Sequence, residues 1–246
     1  KKLASGSKTI VLDVKYGSGA FMKQPKDAEK LAKAMVEIGK RAGRNVAAVI
    51  SNMDVPLGNK IGNTLEVAES VEVLSGNARG DLRELSLTLA AQMYSSSTGE
   101  KYETAYSKAE KVLDSGAAIA KFKEWITAQS GDISFVDNLK DYTAAANYYE
   151  LKAPVGGYIS HIATDSVGIA SAMLGAGREK LGDSIDYSAG ITLLKKTGDY
   201  VEAGETLAIL QSSAHGFEDA KEKLSKAYEF SDSKPCDTPL IYKIIT

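Results

Sequence analysis

Cysteine, histidine and tryptophan are scarce in this sequence. A single cysteine, Cys236, occurs among the 246 residues. One thiol excludes an internal disulfide framework and fits a reducing compartment. Cys236 stands between Pro235 and Asp237, and nothing around it marks it as a nucleophile. The two histidines, His161 and His215, lie far apart without metal-ligand spacing. No Ser/His/Asp or Cys/His arrangement can be drawn through them. Long apolar runs are also missing: no stretch approaches the roughly 20 residues needed to cross a bilayer, and the first residues do not form a secretory signal. Nor does charge of one sign accumulate. The formal net charge is -2, from 30 Lys and Arg against 32 Asp and Glu. That balance excludes a broad nucleic-acid footprint and predicts a mixed, solvated surface on a cytoplasmic protein.

What is present suffices for a real core. The chain is 43% apolar and 25% charged, long enough for one large domain or two small ones. Lys1-Lys2-Leu3-Ala4-Ser5-Gly6 reads as the last turn of a helix stopped by glycine, so the chain is expected to begin inside a longer protein. Two strand-loop-helix units follow from Ile10 to about Leu74. The first strand, ending at Asp13-Val14-Lys15, runs into Gly17-Ser18-Gly19, and a helix starts near Pro25 with an apolar stripe through Ala28, Leu31, Ala32, Met35 and Val36. Gly43 ends that helix, and a second strand begins at Val46. Alternation of this kind predicts an α/β fold with a parallel or mixed sheet and flanking helices. From Asp81 to Gln129 the pattern is helical throughout, and the spacing of Ile119, Phe122, Trp125 and Ile126 predicts a buried face with Trp125 in the core. The pattern weakens between Gly131 and Tyr149. After Pro154 the texture is β-rich, broken by helices at 164–175, with Thr164 as the expected N-cap, and at 217–228; a final strand is expected within 239–245.

Asp54-Val55-Pro56-Leu57-Gly58-Asn59-Lys60-Ile61-Gly62-Asn63 is the segment richest in information. One Pro, two Gly and two Asn at the end of a buried strand predict a loop with special backbone angles, with a helix directly behind it. In open α/β sheets ligands gather at such strand ends. On local chemistry the loop suits either a structural connection or a backbone site for a small ion. Gly17-Ser18-Gly19 fails the phosphate-loop and dinucleotide patterns, and Asp13 and Lys15 beside it are expected to pair locally.

The segments Asp13–Met22, Met53–Gly58 and Gly62–Val67 resemble pyrimidine-nucleoside phosphorylases and thymidine phosphorylases. Gly177-Arg178, Asp186–Ile191 and Thr238–Tyr242 are similar to the C-terminal part of the same family. The likeness runs in order over essentially all 246 residues. The Pro-Leu-Gly and Gly-Asn-x-Leu-Glu-Val forms look most like the broad-specificity enzymes of Gram-positive type.

The resemblance implies an enzyme that cleaves uridine, thymidine or deoxyuridine with inorganic phosphate, giving free base and pentose 1-phosphate. It implies that residues 1–6 end a helix of a preceding helical lobe, that 7–150 form the second half of the α/β lobe, and that 151–246 form an α+β domain. The string Gly198–Ile209 also resembles the turn of lipoyl and biotinyl carriers, but without their Lys-Met hairpin. The C-terminal part is therefore expected to be a β-hammerhead without a carrier lysine. Lys1 is carried over as the pyrimidine-binding lysine of a Lys-Lys-Leu stretch. A potassium site is implied at the backbone carbonyls of Leu57 and Lys60 and the carboxylate of Glu69, completed from upstream, with the Lys60 side chain pointing outward. No organic cofactor is implied. The phosphate-binding segment and the family's other catalytic groups would precede residue 1, so no catalytic residue is assigned here and these residues alone are expected to be inactive. The intact enzyme is expected to be a homodimer whose partners are nucleoside and phosphate, not nucleic acid or membrane. Two other readings stand beside it: a nucleoside-monophosphate phosphorylase or phosphoribosyltransferase relative, and a non-enzymatic carrier or interaction module.

Overall fold

The computed structural model describes residues 2–178 and 180–246. Along the chain lie β1 (Thr9–Tyr16), α1 (Pro25–Arg41), β2 (Asn45–Asn52), β3 (Lys60–Ile61), α2 (Asn63–Leu74), α3 (Asp81–Thr98), α4 (Tyr102–Asp114) and α5 (Ala117–Ala128). After them come α6 (Leu139–Tyr142), β4 (Asn147–Lys152), β5 (Gly157–Ile162), α7 (Thr164–Ser171) and β6 (Gly190–Leu193). The chain ends with β7 (Tyr200–Val201), β8 (Thr206–Ser212), α8 (Glu218–Ala227), β9 (Tyr228–Ser231) and β10 (Ile241–Ile245). The result is the α/β class expected, divided into two compact units. One unit holds the residues up to Met53, Val73–Ala120 and Thr238–Thr246; the other holds Asp54–Glu72 and Lys121–Asp237.

In the first unit β1 and β2 are parallel, with Ile10 opposite Val46 and Val14 opposite Ile50. Alternate residues of both strands, among them Ile10, Val14, Ala48 and Ile50, pack on Ala28, Ala32 and Val36 of α1. Every residue of β2 after Asn45 is buried, as a central strand covered on both faces requires. α3 packs on both strands as well. Val73, Leu87 and Leu113 form a smaller core beneath α4, where the buried guanidinium of Arg83 reaches Asp114 at 2.8 Å. β10 adds to β2 in the antiparallel sense.

In the second unit the sheets are antiparallel. One has the strand order β3-β6-β8-β4, the other β7-β5-β9. Their shared core includes Ile159, Leu174, Ile191, Leu207, Leu210 and Leu224.

Several expectations need correction. Trp125 is 59% exposed, and α5 has no buried residue; helical spacing marks an apolar face without saying what covers it. Trp125 packs instead on its neighbour Phe122, ring centroids 6.1 Å apart. Thr164 is not the cap of α7 but its first residue, following Ala163. β4 begins at the end of the weak, tyrosine-rich stretch; it is the edge strand of its sheet and is mostly exposed, so it carries no strong alternation. The two compact units interleave along the chain. Residues 54–72 and 121–150 belong with the later sheets, and the last strand returns to the first unit.

That return is held by charge. Lys243 of β10 and Lys33 of α1 reach Glu29 at 2.7 Å and 2.8 Å. Hydrogen bonds from Lys243 and then Lys33 pull the Glu29 carboxyl from its ordinary 4.5 to about 2. A carboxyl depressed in the folded state stabilises it above the unfolded value, and that stabilisation disappears as pH falls through the folded value. Wild type is therefore expected to be more stable than Glu29→Gln above about pH 4.5, with the two converging as pH falls toward about 2. Urea denaturation of both proteins across that range checks this, and a difference independent of pH contradicts it.

Candidate functional site

The loop from Asp54 to Gly62 is organised around one buried carboxylate. Glu69, in the second turn of α2, is 8% exposed. It accepts the Asn59 N–H at 2.7 Å and the Lys60 N–H at 3.2 Å. Gly58 lies directly against it with φ +69°, and a Cβ at that position would stand 2.4 Å from Glu69 Oε2. Only glycine combines that backbone angle with so close an approach.

Register sets the direction of the neighbouring peptide groups. Lys60 stands opposite Thr192, Ile61 opposite Ile191, and the Leu193 N–H donates to the Asn59 carbonyl at 2.7 Å. Bonded and non-bonded positions alternate in an antiparallel pair, so Lys60 turns its main-chain groups away from β6 and toward Glu69. Its ammonium goes to Glu72 at 2.8 Å. The structure thus brings Lys60 and Glu69 together, with Leu57 one residue from the glycine that Glu69 touches. A carboxylate joined by main-chain carbonyls would be a hard oxygen donor set, which suits an alkali cation, not a thiophilic metal. Among the described residues no group of three or more His, Cys, Asp or Glu side chains could hold a metal ion.

The start of α2 is locked from a distant part of the sequence. A Cβ on Gly62 would meet the Ala189 carbonyl at 2.4 Å, and one on Gly190 would meet the Ile61 carbonyl at 2.3 Å. The Thr64 N–H and hydroxyl both donate to the Tyr187 carbonyl, at 3.3 Å and 3.0 Å. Asn63 Nδ2 donates to the Ala176 carbonyl at 2.8 Å. The stretches 62–67 and 186–191, noted separately in the sequence, are therefore one packed feature.

Asp186 is a buttress that sequence reasoning left without a role. It accepts from the Ser188 hydroxyl at 2.6 Å, the Ser213 N–H at 2.7 Å, the Ser188 N–H at 3.0 Å and the Ala214 N–H at 3.2 Å. Burial opposes its charge, but these hydrogen bonds together outweigh burial and hold its carboxyl below the usual range. The only sequence signal was its place at the head of the Asp-Tyr-Ser-Ala-Gly-Ile string.

In the first unit Lys15 bonds Asp13 at 2.7 Å and the Ser51 hydroxyl at 2.9 Å, while Ser51 donates to Asp13. This local pairing is the one expected. A cavity of about 350 Å³ lies beside it, lined by Leu12, Met35, Met53 and the exposed Phe21 among others. Gly17 and Gly19 donate their N–H groups to the carbonyls of Met22 and Met53; those two amides are committed to the chain itself. Lys1, the expected pyrimidine contact, lies outside the described residues.

Comparison with known proteins divides the chain in sequence order. The model of the glycosyl transferase family a/b domain matches residues 1–119, and that of the pyrimidine nucleoside phosphorylase C-terminal domain matches residues 158–231. Pyrimidine-nucleoside phosphorylases of Staphylococcus aureus strains bovine RF122 and USA300 are each 45% identical over 247 aligned positions, covering 100% of this chain and 57% of the relative. The protein from strain MSSA476 is 45% identical over 246 positions, with the same coverage. The chain spans little more than half the length of these curated relatives.

Two substitutions test the loop and its buttress. Gly58→Ala forces a side chain into Glu69 and is expected to destabilise the protein by about 2 kcal/mol. Asp186→Asn weakens these charge-assisted bonds and is expected to cost a similar amount, about 2 kcal/mol. Denaturant titration of each variant against wild type reads both; a loss below about 0.5 kcal/mol would place either residue with ordinary surface positions.

Proposed function

The chain belongs to the pyrimidine-nucleoside phosphorylase family, and from that membership we propose that its protein cleaves uridine, thymidine and deoxyuridine with inorganic phosphate. A phosphate oxygen bonds to the sugar C1′ while the N-glycosidic bond breaks, and its electron pair leaves with the pyrimidine. The products are pentose 1-phosphate and free base. The observation that carries this reading is the joint match, in chain order, of two family models and of relatives named for this activity.

Negative charge develops on the departing pyrimidine, and a fixed ammonium beside it lowers the barrier. Lys1 is the residue proposed for that contact. A bound potassium ion would add positive charge beside the loop and fix its carbonyls in place. Leu57 and Lys60 would face it with their carbonyls and Glu69 with its carboxylate. The packing of Glu69 on Gly58 and the turn of the Lys60 peptide toward Glu69 support this set. Residues 151–246 are proposed to take a hammerhead-like form without carrier chemistry; the two lysines in its turn, Lys195 and Lys196, are engaged with Glu205 and the Gly58 carbonyl. A homodimer acting in the cytoplasm completes the reading. No helix among the described residues is long and apolar enough to cross a membrane.

Phosphate-dependent release of uracil from uridine, followed by chromatography on the protein as encoded, tests the activity, with uridine 5′-monophosphate as the competing substrate. Turnover of the nucleotide alone would move the protein to the nucleotide-cleaving relatives. Lys1→Ala is expected to lower kcat on the order of 100-fold, and unchanged kinetics would remove Lys1 from the site. Residues 1–246 assayed by themselves are expected to leave uridine intact.

A further inference from the structure

Lys196 sits in the turn after β6, and its backbone is fixed on both sides. Its N–H bonds Asp199 Oδ2 at 2.7 Å, its carbonyl accepts the Asp199 N–H at 3.0 Å, and the Gly198 N–H reaches the Ile159 carbonyl at 2.8 Å. From this rigid base the side chain extends to the loop, where Nζ donates to the Gly58 carbonyl at 2.9 Å. The adjacent Lys195 is spent within its own sheet on Glu205. Gly58 is therefore flanked by two opposite charges: the buried Glu69 carboxylate against its Cα, and an ammonium on its carbonyl oxygen.

An ammonium and a potassium ion share the properties that matter here. Each carries one positive charge, and each is satisfied by carbonyl oxygens. From this geometry we infer that Lys196 is a tethered monovalent cation for the loop, holding the Leu57–Lys60 main chain in its ion-binding form whether or not potassium is bound. This inference rests on the potassium reading above and goes beyond it: Lys196 is a positioning residue, and it makes the order of the loop independent of the free ion.

The test is thermal unfolding in potassium chloride and in choline chloride at equal ionic strength, on the protein as encoded. Wild type and Lys196→Arg are expected to gain in potassium only what ion binding itself adds, whereas Lys196→Met should fall by a further amount on the order of 3 °C in choline and recover it in potassium. Equal loss for Lys196→Met in both salts makes the contact an ordinary hydrogen bond and overturns the inference, as does a wild type that is itself as salt-dependent. Hydrogen exchange at the Asn59 and Lys60 amides of wild type gives a reading without any variant. Equal protection in both salts supports the tethered cation, and loss of protection in choline overturns it. The ion site is checked separately by thallium-205 NMR. A bound resonance present in wild type and lost in Glu69→Gln establishes the site, whatever Lys196 does. Its absence from wild type removes the site and the inference with it.

Discussion

The contact between the Glu69 carboxylate and the Gly58 main chain is the constraint on which the loop depends. It consumes the N–H groups of Asn59 and Lys60 and so decides which way the intervening peptides turn. The carboxylate can be there only because α2 places it, and α2 is placed by Thr64 on Tyr187 and by the glycine contact between residues 62 and 190. The order of cause thus runs from the Asp186 turn to α2, from α2 to Glu69, and from Glu69 to the loop. Each step is a hydrogen bond or a van der Waals limit, with little slack for a side chain in between.

A loop built this way is held through its backbone. The groups gathered at Glu69 are peptide N–H groups, whose positions follow from φ, ψ and register more than from side-chain identity. This explains how a residue as large and charged as Lys60 is accommodated in the loop: its side chain leaves for Glu72, while its peptide obeys the ladder. It also explains why the demanding positions are glycines, where the limit is space.

The sequence exposed some of this and hid the rest, for identifiable reasons. β1, α1 and β2 were legible because a buried parallel strand and a Pro-started amphipathic helix have strong local patterns. The loop was legible through its Pro, Gly and Asn content, and its partner stretch through family likeness. That the two stretches touch was not legible, because the contact joins glycines and carbonyls more than 120 positions apart, as the 123-residue separation of Thr64 and Tyr187 shows. Trp125 misled because periodicity reports a face and not its covering. β4 was missed because an exposed edge strand has little to alternate. Lys196 has no local pattern to single it out; only the fold carries it to residue 58.

The return of β10 to β2 has a consequence for how the molecule is made. The ion pair that fastens it joins residues 214 positions apart. During synthesis the first sheet must wait as a two-stranded ribbon while the whole second unit emerges. Its closing strand emerges only after the whole of that unit, and the pairing closes a loop of about that length. Loop closure grows costlier with length only slowly, but distant pairings form late. The sheet begun before the second unit is therefore finished after it, and until then the open side of β2 is a vacant place for any strand that passes.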